Sequence, residues 1–151
     1  MLYNKKGDLL DSDCTVIMHQ ANCFKTMGAG IAKSIAEKYP EAYLADKSFP
    51  LSPTQRLGRF SYAKAKDGKT VVNLYGQYGC GKGIQTNYDK LESAIHQFFT
   101  KARKDSSVIL EKVGVPYKIG CGLAGGDWDI VKSILSRQSE LHKITMYIYE
   151  L

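Results

Sequence analysis

Two stretches of this sequence place small residues where a strand would hand over to a helix. The first is His19-Gln20-Ala21-Asn22-Cys23-Phe24-Lys25-Thr26-Met27-Gly28-Ala29-Gly30-Ile31. At a helix N-terminus the free backbone N–H groups and the helix dipole make an anion site, and glycine removes the Cβ that would hold a phosphate away. One such turn is as often structural as functional. The second stretch, Ile119-Gly120-Cys121-Gly122-Leu123-Ala124-Gly125-Gly126-Asp127-Trp128, repeats the arrangement. If both strand ends lie side by side in a parallel sheet, the loops flank one crevice at its carboxyl edge, where open α/β sheets bind ligands. The predicted occupant is a diphosphate gripped from two sides.

Other phosphate chemistries fit less well. No GxxxxGK followed by Ser or Thr occurs, which excludes a Walker-type ATPase loop. Gly120, Gly122 and Gly125 do spell GxGxxG, and Glu150 loosely fits the acidic residue that follows in dinucleotide folds. Only residues 126–151 remain beyond that turn, too few for the rest of such a fold. His19 and Cys23 have a spacing of four but fall where a strand runs into a loop, so no metal site is predicted and no cofactor is implied. Asp127, just before Trp128, reads as the N-cap of the following helix.

The elements that must position these loops follow from periodicity. Met1 to Tyr3 and Cys14 to His19 read as strands, the second carrying the apolar run that a sheet covered on both faces needs. Ile31, Ala32, Ile35, Ala36 and Tyr39 recur at helical spacing until Pro40, and Glu41 to Lys47 reads as a second, short helix. Ser48 to Gly58, with its two prolines, reads as an exposed connection. Arg59 to Ala65 and Thr70 to Tyr75 form a hairpin across Asp67-Gly68. Leu91, Ala94, Ile95, Phe98 and Phe99 put a core stripe on a helix from Asn87 to Lys104. Val113 to Lys118 is a strand, Trp128, Val131, Ile134 and Leu135 mark a helix, and Lys143 to Tyr149 is a closing strand. The fold class is α/β, a mixed and mostly parallel sheet in three α/β/α layers.

At 151 residues the chain is expected to form one domain over residues 1–151. Its apolar fraction of 44% excludes disorder, and no apolar run approaches a membrane span. The formal charge of +6 favours anionic partners without choosing among them. Cys14, Cys23, Cys80 and Cys121 lie apart, and the N-terminus has no apolar leader, so a reduced, cytoplasmic setting is expected. The basic charge, with Tyr75, Tyr78 and Tyr88, also allows a nucleic-acid-binding protein that stacks bases, although no nucleic-acid motif accompanies them.

Gly7-Asp8-Leu9-Leu10, the loop from Asn22 to Ile31, Asn73 to Gln77 and the loop from Ile119 to Trp128 together resemble the macrodomain family over essentially the whole chain. Within it, MGAGIA, the IGCGL turn and the closing Tyr-x-Leu are most similar to the branch of terminal ADP-ribose protein glycohydrolase and ADP-ribose-1″-phosphate phosphatase. The resemblance implies a macrodomain-like fold and an ADP-ribose ligand. It implies Asp8, beside Leu9, at the adenine amino group, and Asn22 at the distal ribose. Met27, Gly28, Ala29, Gly30 and Ile31 would form the first phosphate wall, and Ile119, Gly120, Cys121, Gly122, Leu123 and Ala124 the second. Asp8 equally suits a local turn. Tyr149 matches the aromatic that stacks on adenine, and equally suits the rim of the last strand.

The branch's attacking lysine and assisting aspartate are both replaced, by Gln77 and Ala124. Glutamine is a poor nucleophile and alanine moves no proton. A lysine-adduct route is not expected unless Lys25 or Lys82 reaches in. Asn22 and Gln77, with His19, are instead the candidates for orienting a hydrolytic water or the substrate. The expected function is an ADP-ribose-binding macrodomain acting as a hydrolase that removes ADP-ribose from a modified protein or nucleic acid. The alternatives are an ADP-ribose-1″-phosphate phosphatase, a non-catalytic ADP-ribose reader and the basic nucleic-acid binder. The expected partners are ADP-ribose or an ADP-ribosylated macromolecule and no membrane, with the chain a monomer.

Overall fold

The computed structural model describes residues 1–80, 83–122 and 124–151. Strands β1 (Leu2–Lys6), β2 (Val16–Gln20), β3 (Phe60–Lys64), β4 (Thr70–Leu74), β5 (Val113–Pro116) and β6 (Met146–Glu150) form one sheet in the order β1-β6-β5-β2-β4-β3. Neighbours run parallel except the β3–β4 hairpin. The helices are α1 (Gly30–Lys38), α2 (Pro40–Ser48), the single turn α3 (Pro53–Arg56), α4 (Tyr88–Ala102) and α5 (Trp128–His142). Among the described residues no helix is long and apolar enough to cross a membrane.

The central strand shows why the fold has three layers. All five residues of β2 are buried. Because successive strand side chains point to opposite faces, Val16 and Met18 join the core under α4 and α5, while Ile17 joins Ile35, Tyr39 and Ala42 under α1 and α2. Helix α4 starts where the Asn87 side chain accepts from the Lys90 N–H, and its stripe of Leu91, Ala94, Ile95, Phe98 and Phe99 is fully buried. Burial of each of the larger members stabilises the fold by about 1.5–3 kcal/mol. Tyr39 is pushed out of the helical region (φ −124°, ψ 75°) by the proline that follows it, and Pro40 opens α2 at the position where a missing N–H costs least.

Several element ends differ from expectation by one to three residues, and three of them have a clear local reason. Strand β5 stops at Pro116, which has no N–H for the ladder. Strand β6 begins at Met146, because Lys143 closes α5 in the left-handed conformation (φ 54°). Strand β1 runs on to Lys6, a polar edge that pairs with β6 alone and so carries no apolar alternation to read.

The segment from Ser48 to Gly58 departs furthest from its reading as an exposed connection. It contains α3, opened by a reciprocal capping box between Ser52 and Gln55. Arg56, at its end, is completely buried. Its guanidinium meets Asp46 Oδ1 at 3.0 Å and donates to the carbonyl oxygens of Asp46, Phe49 and Leu51. From Asp46 a buried polar chain runs through the Tyr75 hydroxyl (2.7 Å) to Ser61, Asn73 and His19. Tyr75 is therefore a donor inside this network and not a base-stacking platform; burial and its bond to Asp46 push its phenol well above the usual range.

Candidate functional site

The carboxyl ends of β5, β2 and β4 open into a cavity of about 780 Å³. Asn22, Thr26, Gly28, Ala29, Gly30 and Ile31 line it from the β2–α1 loop, and Ile119, Gly120, Gly122 and Ala124 from the loop after β5. Gln77 lines it from the end of β4. Both glycine-rich loops thus border one space.

The glycines of these loops differ in what holds them to that residue type. A Cβ at Gly126 would lie 2.6 Å from the Gly120 carbonyl oxygen, and Gly30 has φ +58°, so packing and backbone conformation explain those two. Gly28 and Gly122 have neither reason. Neither has a positive φ, and among the described residues a Cβ at either would meet nothing within 4 Å. Both line the cavity, and no described neighbour excludes a side chain at either. Beside Gly28, the N-cap of α1 is Ala29, which has no side-chain cap to offer, so the first N–H groups of the helix are left for solvent or a ligand.

The second loop is held from behind. The Thr86 hydroxyl donates to the Gly120 carbonyl at 2.6 Å and the Gly126 N–H donates to the same oxygen at 2.9 Å. The N–H groups of Gln85 and Thr86 both reach the Ala124 carbonyl. Asp127 is the N-cap of α5, accepting from the Asp129 N–H at 2.9 Å, which is the role its position predicts.

Asn22 has its side chain turned to its own loop. Its Nδ2 donates to the Thr26 carbonyl (3.0 Å) and hydroxyl (2.8 Å), and its Oδ1 accepts from the Phe24 N–H (2.8 Å). Both amide hydrogens are engaged, so Asn22 staples the first wall in this state. His19 is fully buried, with Nε2 2.7 Å from Asn73 Oδ1, and does not line the cavity. The Asn73 amide nitrogen is engaged by the Ala42 carbonyl and Ser61, so Asn73 presents oxygen and His19 donates from Nε2. Burial lowers the His19 pKa and keeps the ring neutral. The expectation that His19 orients a water is therefore corrected: its place is the core.

Five further predicted residues lie outside the cavity lining. Leu9 and Met27 are buried in the α1–α2 core and Cys121 is half-buried. Asp8 is exposed and accepts from the Leu10 N–H at 2.9 Å, capping the short 3-10 turn Leu9–Asp11. Tyr149 is half-buried against the Leu9 cluster. Both stand along the same sheet edge: the Gly7 N–H reaches the Glu150 carbonyl, and the Tyr117 N–H reaches that of Tyr149, beside the cavity wall. Leu123 and Lys82 lie outside the described residues.

Sequence reasoning did not single out Gln20, Thr26, Cys80, Tyr117 or Lys118, all of which line the cavity. Gln20 carries no local signal, since its partners Gln77 and Thr86 lie 57 and 66 residues away in the chain. Among the described lining residues there is no carboxylate and no histidine, and Lys118 is the single basic side chain. Burial pushes the nearby Cys23 thiol up to about 11 and raises Cys121 as well, which leaves both protonated and poor nucleophiles near neutral pH. The arrangement offers backbone and amide donors to an anion, with no acid–base pair.

Among known proteins, the uncharacterized 17.5 kDa protein in the tk-vs intergenic region of Enterobacteria phage T4 is 29% identical over 151 residues, spanning 96% of this chain and 94% of that protein. A shorter match of 39 residues, 46% identical, links 25% of the chain to 19% of an ADP-ribose 1''-phosphate phosphatase of Aspergillus oryzae. The solved structure of Thermosipho africanus DarTG in complex with ADP-ribose superposes with a TM-score of 0.76 at 21% identity, over 97% of this chain and 41% of that one. The Macro domain model matches residues 18–135, which takes in both glycine-rich loops and most of the sheet between them, and the chain belongs to that family.

Proposed function

We propose that the chain, as one domain, binds ADP-ribose, with the diphosphate between Gly28, Ala29, Gly30 and Ile31 on one side and Gly120, Gly122 and Ala124 on the other. The observation that carries this reading is the pair Gly28 and Gly122, glycines with no packing or conformational need, on opposite loops of one cavity. The uncapped start of α1 supplies donors to the phosphate oxygens. The distal ribose then lies toward Asn22 and Gln77, and the adenine toward Asp8 and Tyr149 along the sheet edge. The ADP-ribose complex of Thermosipho africanus DarTG supports the choice of ligand.

At the distal end we propose hydrolysis of an ADP-ribose derivative. Removal of ADP-ribose from a modified macromolecule is the first reading. Release of phosphate from ADP-ribose-1″-phosphate is the second, favoured by the short match to such a phosphatase. With no lining carboxylate or histidine among the described residues, the rate would come from holding a water against the bond and from fixed donors facing the developing charge.

Calorimetry with ADP-ribose beside ADP and AMP tests the binding, repeated with Gly122→Glu, which puts bulk and negative charge into the second loop. Micromolar binding by the native chain and its loss in a folded variant support the assignment. A folded native chain that binds none of the three refutes it. Incubation with ADP-ribosylated protein, ADP-ribosylated DNA and ADP-ribose-1″-phosphate then separates hydrolase, phosphatase and simple reader.

A further inference from the structure

Gln20 closes β2 with its side chain on the cavity floor, 7% exposed. Its Nε2 donates to Gln77 Oε1 and to Thr86 Oγ1, both at 2.9 Å. The direction of this network follows from two carbonyl oxygens that can only accept. The Thr86 hydroxyl hydrogen goes to the Gly120 carbonyl at 2.6 Å, so Thr86 meets Gln20 as an acceptor, and Gln20 must present its NH2 on that side. The same NH2 faces Gln77, which must therefore present its oxygen. On its other side Gln77 Nε2 donates to the Gly79 carbonyl at 2.8 Å. Among the described residues one hydrogen of that nitrogen is left over, on a side chain that lines the cavity.

Gln20 holds this pose at a cost, which marks the pose as specified. Among the described residues its Oε1 is buried with no partner. It sits in a slot that glycines keep open, since a Cβ at Gly76 would lie 2.4 Å from it and one at Gly120 3.2 Å.

We propose that Gln20 is a positioning residue that locks the Gln77 amide with N–H toward the cavity, so that this end of the site takes an oxygen acceptor of the ligand and turns away a donor. The ligand's identity rests on the ADP-ribose reading above; the lock does not. Gln77 is a donor in this state, unable to take a proton from water.

The test is a double-mutant cycle with two readouts. Gln20→Glu is nearly isosteric but only accepts, so the Gln77 amide must turn its nitrogen to the new carboxylate and its oxygen outward. ADP-ribose affinity by calorimetry is expected to fall roughly tenfold, the weight of one hydrogen bond. In a Gln77→Met background the same substitution is expected to cost nothing further, whereas a merely structural role would cost as much in either background. Gln20→Met, which buries no charge, covers the case in which Gln20→Glu fails to fold and is expected to weaken binding in the same background-dependent way. The second readout needs no ligand: the Gln77 side-chain amide pair in a 15N–1H spectrum shifts in Gln20→Glu and Gln20→Met. Unchanged Gln77 amide signals, or equal losses in both backgrounds, overturn the lock. Failure of the native chain to bind ADP-ribose overturns the ligand reading and leaves the amide spectrum to decide the lock.

Discussion

Replacing Gly122 and Gly126 by alanine, one at a time, separates glycine kept for a ligand from glycine kept for packing. They are four residues apart in the same loop region, and both lie outside the positive-φ set. At Gly126 the added carbon would come within 2.6 Å of the Gly120 carbonyl oxygen and 3.3 Å of Thr86 Cβ, and backbone does not yield cheaply. Gly126→Ala is therefore expected to lower stability by about 1–3 kcal/mol, the usual cost of overpacking. At Gly122 the added carbon meets open space among the described residues. Gly122→Ala should leave stability within about 0.5 kcal/mol, or raise it by about 0.4–1 kcal/mol by restricting the unfolded chain. Binding reverses the order. A methyl group pushed against a bound diphosphate costs about 1–3 kcal/mol, roughly 5- to 150-fold in Kd for ADP-ribose. Urea unfolding gives the first quantity and calorimetry the second. Native affinity in Gly122→Ala would refute the claim that a ligand comes close at that residue, whatever the stability result.

Three other substitutions probe the frame behind the site. Arg56→Met strands the Asp46 carboxylate in the core and should cost about 3–5 kcal/mol by urea unfolding, with much of it recovered in Asp46→Leu/Arg56→Met; a single-variant loss under about 1 kcal/mol contradicts the buried pair. Burial depresses the His19 imidazole from 6.5, so the unfolded chain takes up a proton that the folded chain refuses. Stability is full above that pH and falls as the pH drops toward the folded value, by up to about 1.4 kcal/mol per unit. His142, lowered by partial burial and by His96, adds a change of the same sign. Unfolding midpoints at pH 7.5 and 5.5 should therefore lie closer together in His19→Gln than in the native chain, and an equal gap removes His19 as the cause. Asp127→Ala should cost about 1 kcal/mol through the lost cap of α5 and leave ADP-ribose affinity unchanged; a large affinity loss at normal stability would give Asp127 a place in the site.

What the sequence made legible and what it hid divide by the range of the interactions. The apolar run of β2, the stripe of α4, the Asp67-Gly68 hairpin and the Asp127 cap all come from neighbours within a few positions, and the structure has each of them. Gly28 and Gly122 were legible as loop glycines, but only the space around them distinguishes them from Gly126. Arg56 was hidden, because a charged residue in a proline-containing stretch reads as surface until Asp46, Tyr75 and the backbone carbonyls that enclose it are assembled. Gln20 was hidden for the same reason, its partners Gln77 and Thr86 being 57 and 66 residues away. The orientation of an amide is a property of the whole network, set here by the carbonyls of Gly120 and Gly79 at its two ends. Residue types at fixed spacing point to the loops that hold an anion; whether Gln77 gives or takes a hydrogen bond there is decided by strands and turns that only the fold brings together.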